Sequence, residues 1–215
     1  MTRTETIPAL TLLLALAASA AAPAAAGDDS WRLKVSGVSA QSTAGGGSDS
    51  SLGGALALEY RATPRIGVEL GGLRTEFEKE SSVQLFATDF VSELDFRMTP
   101  ILARLNVHLT PGRRADLYVG PVAGYVLMSD VSHRYRPGPL VDDIPFVMPA
   151  EDRFAWGAHA GLDVQLGRGS SYLTAGATYL DLPLEVRVPD SIGPDGRFSG
   201  DFDPLVVHLG YGYRF

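Results

Sequence analysis

The feature that most constrains this chain is an alternation of apolar with small or polar residues, of period two, repeated along eight stretches. Period two puts successive side chains on opposite faces of a strand. In the first stretch Trp31, Leu33 and Val35 alternate with Arg32, Lys34 and Ser36. In the second, Leu52, Leu56, Leu58 and Tyr60 alternate with Ser51, Gly53, Ala55, Ala57 and Glu59. The third sets Ile66, Val68 and Leu70 against Arg65, Gly67, Glu69 and Gly71, and the fourth sets Ile101, Ala103, Leu105 and Val107 against Leu102, Arg104, Asn106 and His108. Just upstream, residues 94–98 carry the opposite phase, so Thr99-Pro100 predicts a bulge or kink. The fifth runs through Leu117, Val119, Ala123, Tyr125 and Leu127 against Gly120 and Gly124; the sixth sets Phe154, Trp156, Leu162 and Val164 against Gly157, His159, Gly161 and Asp163. The seventh, 172–184, is ambiguous in phase. The eighth sets Leu205, Val207, Leu209, Tyr211, Tyr213 and Phe215 against His208, Gly210, Gly212 and Arg214.

The connections alternate in length. Segments 41–50, 77–90, 129–152 and 185–203 are long, whereas 62–64, 110–115 and 167–170 are short. Eight alternating strands with this rhythm predict an all-β fold: an eight-stranded antiparallel transmembrane β-barrel, an up-and-down meander. Its short turns and both termini would be periplasmic and its long loops external.

A water-soluble barrel alternates too, but its outer row must suit water. Here the non-apolar row is largely Gly and Ala. Aromatic residues gather near strand ends (Trp31, Tyr60, Tyr125, Phe154, Trp156, Tyr179, Tyr213, Phe215), as at the two interfaces of a membrane barrel. The N-terminal segment agrees with export. Arg3 precedes an apolar run from Ala9 to Leu16, and small residues end at Ala26 before Gly27-Asp28-Asp29, so residues 1–26 read as a cleaved signal peptide and 27–215 as the barrel domain. Absence of cysteine removes disulfides and thiolate metal sites, and a net charge of -7 argues against a nucleic-acid partner. The expected address is the outer membrane of a Gram-negative cell, with outer-membrane lipid and lipopolysaccharide as surroundings.

Depth within the barrel sorts the inward row. Arg32, Lys34, Arg65, Arg104 and Arg214 face Glu59, Glu69 and Asp163 in the half near the termini. Unpaired buried charges are costly, so these eight residues predict a salt-bridged plug of the lumen. The outer half carries Gly53, Ala55, Gly71, Gly124 and Gly157, with His159 at its base, and predicts a roomy, weakly polar pocket.

The ordered motifs resemble the outer membrane protein W family. The resemblance rests on 118–125 (YVGPVAGY), 156–163 (WGAHAGLD), 178–181 (TYLD), Met98-Thr99-Pro100-Ile101-Leu102, and the ending 203–215 (DPLVVHLGYGYRF). Around 73–80 the Pro-Phe element expected of the family is missing. The resemblance implies a narrow barrel with a hydrophobic internal pocket that passes small apolar molecules sideways into the membrane. It also implies that the ending, Tyr211, Tyr213 and Phe215, is read by the barrel-assembly machinery.

Two other classes stand beside this one: a structural or adhesive barrel working through its external loops, and a lipid A-modifying enzyme. Acyl chemistry needs a nucleophile beside a base. His108, His159 and His208 have no serine at strand spacing, and Ser132-His133 are adjacent, so on a strand they would face opposite ways. No catalytic residue is assigned. Asp142-Asp143 and Glu76, Glu78 and Glu80 come without histidine, so neither a metal nor a cofactor is expected.

Overall fold

The computed structural model describes residues 30–43, 50–85, 88–136, 144–187 and 197–215. The signal peptide expected at 1–26 lies outside them. Eight strands close the barrel: β1 (Trp31–Ser42), β2 (Ser50–Thr63), β3 (Ile66–Leu85), β4 (Thr88–His108), β5 (Ala115–Met128), β8 (Arg153–Gln165), β9 (Ser171–Asp181) and β12 (Pro204–Arg214). Each pairs antiparallel with its neighbours, β3 with β4 included, and β1 with β12 shuts the ring. Four shorter strands, β6 (Val131–Arg136), β7 (Ile144–Met148), β10 (Pro183–Arg187) and β11 (Arg197–Asp201), form hairpins at the end opposite the termini.

Those hairpins correct the sequence expectation that 77–90, 129–152 and 185–203 are loops. β3 and β4 stay paired from Ile66↔Val107 to Leu85↔Thr88, and β6 adds to the outer part of β4. Periodicity marks a strand where its two faces meet different solvents. Beyond the apolar band both faces lose that contrast, and the pattern fades although the ladder continues.

A second correction concerns Thr99-Pro100. There is no bulge between β3 and β4: the pairs Gly72↔Ile101 and Thr75↔Met98 on either side of it keep one register. Pro100 is buried on the inward row with Phe96, Met98 and Leu102. The strand does not turn over there. The lumen changes character, so the inward row becomes apolar while the outward row stays apolar.

Outside, Val35, Leu56, Leu70, Leu105, Leu173 and Leu209 are exposed, the face a lipid-solvated barrel requires. Aromatics ring both rims of this band. Trp31 pairs in register with Tyr60 near the termini, their rings 4.9 Å apart; Tyr125 pairs with Phe154 near the other end, with Trp156 and Tyr179 nearby. The seventh stretch resolves as Tyr172, Thr174, Thr178 and Leu180 inward, with Leu173 and Tyr179 outward.

Candidate functional site: a two-part lumen

The lumen splits by depth into an ionic half near the termini and an apolar half beyond it. In the ionic half, Lys34 from β1 is the hub. Its Nζ lies 2.8 Å from Glu69 Oε2, 3.1 Å from Glu59 Oε2 and 3.9 Å from Asp163 Oδ2, and 4.6 Å from the centre of the Tyr118 ring. Arg32 Nη1 reaches Asp163 Oδ2 at 3.2 Å, and Arg104 Nη1 reaches Glu69 Oε1 at 2.5 Å. Asn106 Nδ2 donates to Glu59 Oε1 at 2.9 Å. His108 Nε2 lies 2.8 Å from Glu59 Oε1, and on its other side Arg61 pairs with Asp116. Four cations (Arg32, Lys34, Arg61, Arg104) thus meet four carboxylates (Glu59, Glu69, Asp116, Asp163). Glu59 is wholly buried and Lys34 nearly so. Equal numbers of opposite charge, each within contact distance, let this many ions be desolvated together.

Of the eight residues expected in the plug, six come together: Arg32, Lys34, Glu59, Glu69, Arg104 and Asp163. Arg65 and Arg214 do not. Arg65 is exposed on the β2–β3 turn, ahead of β3, and Arg61 takes the inward place on β2, two residues beyond Glu59. Arg214 is only half-buried at the mouth, where Nη2 donates to Gly169 O at 3.3 Å. Arg61, Asp116 and Tyr118 were missed. Their parity with Glu59 and with Gly120 and Gly124 was the available signal.

Among the described residues, the other half is packed and not roomy. Leu73, Phe77, Phe96, Met98, Leu102, Val126, Leu180 and Val206 fill it from all sides of the ring. Phe77 and Phe96 stack with centroids 5.0 Å apart, and Phe202 sets its edge against both at 5.1 and 5.4 Å. All three methionines among the described residues, Met98, Met128 and Met148, belong to this cluster. The glycines expected to leave space do something else. A Cβ on Gly53, Gly124 or Gly157 would fall on the backbone carbonyl of Arg74, Ile101 or Tyr179, and one on Gly71 would crowd Ala57. They permit close approach of neighbouring strands and do not line a chamber. His159 is in the ionic half, with Nε2 2.6 Å from Asn106 Oδ1. Of the six expected pocket residues, Ala55 borders a cavity of about 30 Å³ between the two halves, also bounded by Lys34, Val38, Leu73 and Val206. That volume holds a water or two and no organic ligand.

None of the described histidines hydrogen-bonds a serine hydroxyl. The His133 side chain lies outside the described residues, as do those of Glu78, Glu80, Asp142 and Asp143; Glu76 is exposed and pairs with Arg97 at 2.8 Å. Tyr211, Tyr213 and Phe215, the expected assembly signal, all face outward, and Phe215 exchanges backbone hydrogen bonds of 3.0 and 3.2 Å with Trp31.

A closed barrel with an apolar exterior and a solid lumen has the form of a bacterial outer-membrane protein, and the sequence agrees. Residues 10–215 match the family described as outer membrane protein beta-barrel domain. The chain belongs to that family. No curated protein matches it. Three solved structures share the fold of this outer-membrane barrel. OprG from Pseudomonas aeruginosa is 18% identical with a TM-score of 0.64, covering 87% of this chain and 96% of its own. Neisserial surface protein A is 14% identical with a TM-score of 0.55, covering 86% and 97%. AlkL, solved in lipid bilayers, is 19% identical with a TM-score of 0.51, covering 90% and 94%.

Proposed function

We propose that this outer-membrane barrel admits small apolar molecules from outside into the apolar half of its lumen and releases them sideways into the membrane. The observation that carries this reading is the division of the lumen. Met98, Met128, Met148 and three phenylalanines line the half that would face outward, and an ion-paired wall closes the half below. Methionine is unbranched and adaptable, the side chain that repacks most easily around a guest. The ionic half offers a guest neither space nor apolar contact. The resemblance of the chain to the outer membrane protein W family supports the same reading, as does the absence of any nucleophile–base pair among the described residues.

The reading has an orientation. Both termini and the short turns face the periplasm, and the long hairpins β3–β4, β6–β7 and β10–β11 face outward. It also takes residues 1–26 as a signal peptide and the outward-facing Tyr211, Tyr213 and Phe215 as the mark read by the assembly machinery. Lipid and lipopolysaccharide surround the barrel, and no cofactor takes part.

The test is uptake of naphthalene by cells or vesicles carrying the wild-type barrel or the double change Met98→Ile/Met128→Ile, which replaces adaptable side chains of the apolar half by stiff branched ones of similar size. The wild type should speed uptake over barrel-free membranes, and the folded variant should lose most of the gain. Equal uptake in all three would favour a second reading. That reading rests on the organised strand surface of β3, β4 and β6 beyond the barrel and makes this surface adhesive.

A further inference from the structure

Three arginines at the terminus end have no carboxylate partner among the described residues: Arg113 and Arg114 on the β4–β5 turn, and Arg214 at the end of β12. All three line one cavity of about 90 Å³. Its inner wall is built from two buried side chains, Arg32 and Tyr172. Tyr172 is 2% exposed, and its hydroxyl has no hydrogen-bond partner among the described residues; Arg32 spends Nη1 on Asp163 and leaves Nε unpartnered. The two carboxylates that touch the cavity each spend Oδ2 on cations, Asp116 on Arg61 and Asp163 on Arg32 and Lys34, and leave Oδ1 unpartnered. Four arginines against two aspartates leave the lining at +2. The three rim turns, segments 63–66, 109–115 and 166–170, contain Arg65, Arg113, Arg114 and Arg168 and neither Asp nor Glu, while Asp28 and Asp29 precede β1 outside the described residues.

The lining asks for an anion of two charges that accepts from several directions. A carboxylate presents two oxygens in one plane. A phosphoryl group presents oxygens around a tetrahedron, which suits guanidinium forks from the turn and from β12 together with a hydroxyl and an Nε from the inner wall. The volume is about three times that of the cavity between the two halves, which holds a water or two, and is enough for a phosphoryl group.

We propose that the terminus-end mouth of the barrel binds a phosphoryl dianion, with any ester substituent left outside. The group comes from a phosphomonoester lipid of the surrounding leaflet or from soluble phosphate. The site is separate from the apolar half and does not depend on what enters there.

The full chain, folded in detergent, is titrated with inorganic phosphate at constant ionic strength, with chloride as the control. Saturable heat of binding is expected for phosphate and not for chloride. Arg114→Gln or Arg214→Gln should weaken it roughly tenfold, the scale of one lost charge-assisted hydrogen bond. Tyr172→Phe should weaken it by a smaller factor, and the triple change R113Q/R114Q/R214Q should remove it. Arg113 and Arg114 are exposed on a turn, so their variants keep the test open should Arg214→Gln fold poorly. Repeating the titration in nanodiscs with and without phosphatidic acid separates the sources. Suppression of phosphate binding by that lipid assigns the headgroup, and an unchanged titration assigns soluble phosphate. No phosphate binding beyond chloride in detergent and in lipid-free discs, or a triple variant that binds as the wild type does, overturns the site.

Discussion

The two halves of the lumen are held by opposite kinds of physics. Near the termini, seven side chains from β1, β2, β3, β4 and β8 meet through directed contacts of 2.5–3.2 Å, and each charge is tolerable because another is fixed beside it. In the other half, contacts among Leu73, Phe96, Met98, Leu102 and Leu180 are undirected, and no atom depends on one particular partner. The first arrangement is brittle and the second graded. A solid barrel can therefore be rigid at one end and adaptable at the other on a single set of eight strands.

The sharpest way to break this contrast is Lys34→Met. It keeps the volume but removes the cation that Glu59 and Glu69 share, leaving Glu69 to Arg104 and Glu59 to His108 and Asn106, and unfolding in urea, read by heat-modifiable gel mobility, should show a loss of about 3–5 kcal/mol. Replacing Lys34, Glu59, Glu69 and Arg104 together by apolar residues of similar size removes two cations with two carboxylates and should recover most of that loss, since the cost is the orphaned charge and not the missing bridge. An additive quadruple variant would show the ionic half to be graded after all. Leu102→Ala in the apolar half should cost about 2–5 kcal/mol and leave a dry cavity. Benzene should restore part of this stability, which it would not do for Lys34→Met.

Gly157→Ala tests the wall between the halves. Its Cβ meets the carbonyl of Tyr179, so the β8–β9 ladder must shift, at about 1–3 kcal/mol by the same gel assay. An unchanged midpoint would return Gly157 to the role of a space-leaving residue. Leu209→Ala, on the lipid face, should change stability in detergent by less than about 0.5 kcal/mol.

The eight strands and the ionic half were legible in the sequence for one reason. At those depths the inner and outer faces differ in polarity, so Arg32, Lys34, Glu59 and Asp163 stand out against Leu33, Leu58 and Leu162. The apolar half was not legible because both faces are apolar there. Phe96, Met98 and Leu102 looked like a change of phase at Pro100, when they continue one inward row. Glycine was misread for a related reason: its lack of a side chain signals either open space or close backbone approach, and only the neighbouring strand decides. Arg65 was misplaced because it stands in the turn, one residue before β3 begins, and period two does not mark where a strand starts.

The ring is shut by β1 against β12, whose register joins Arg32 to Arg214 and Ser42 to Pro204. Every other barrel seam joins strands that follow one another around the meander, whereas this one joins residues some 160 to 180 positions apart. Its loop-closure entropy is therefore the largest in the molecule, and it falls due last. Until the C-terminal strand arrives, the edge of β1 stays unpaired in a setting where lipid cannot satisfy it and another chain can. The chain has no productive halfway state during its export. It must be kept apart from its own kind until the eleven residues of β12 have been delivered, and the order of synthesis works against it to the end.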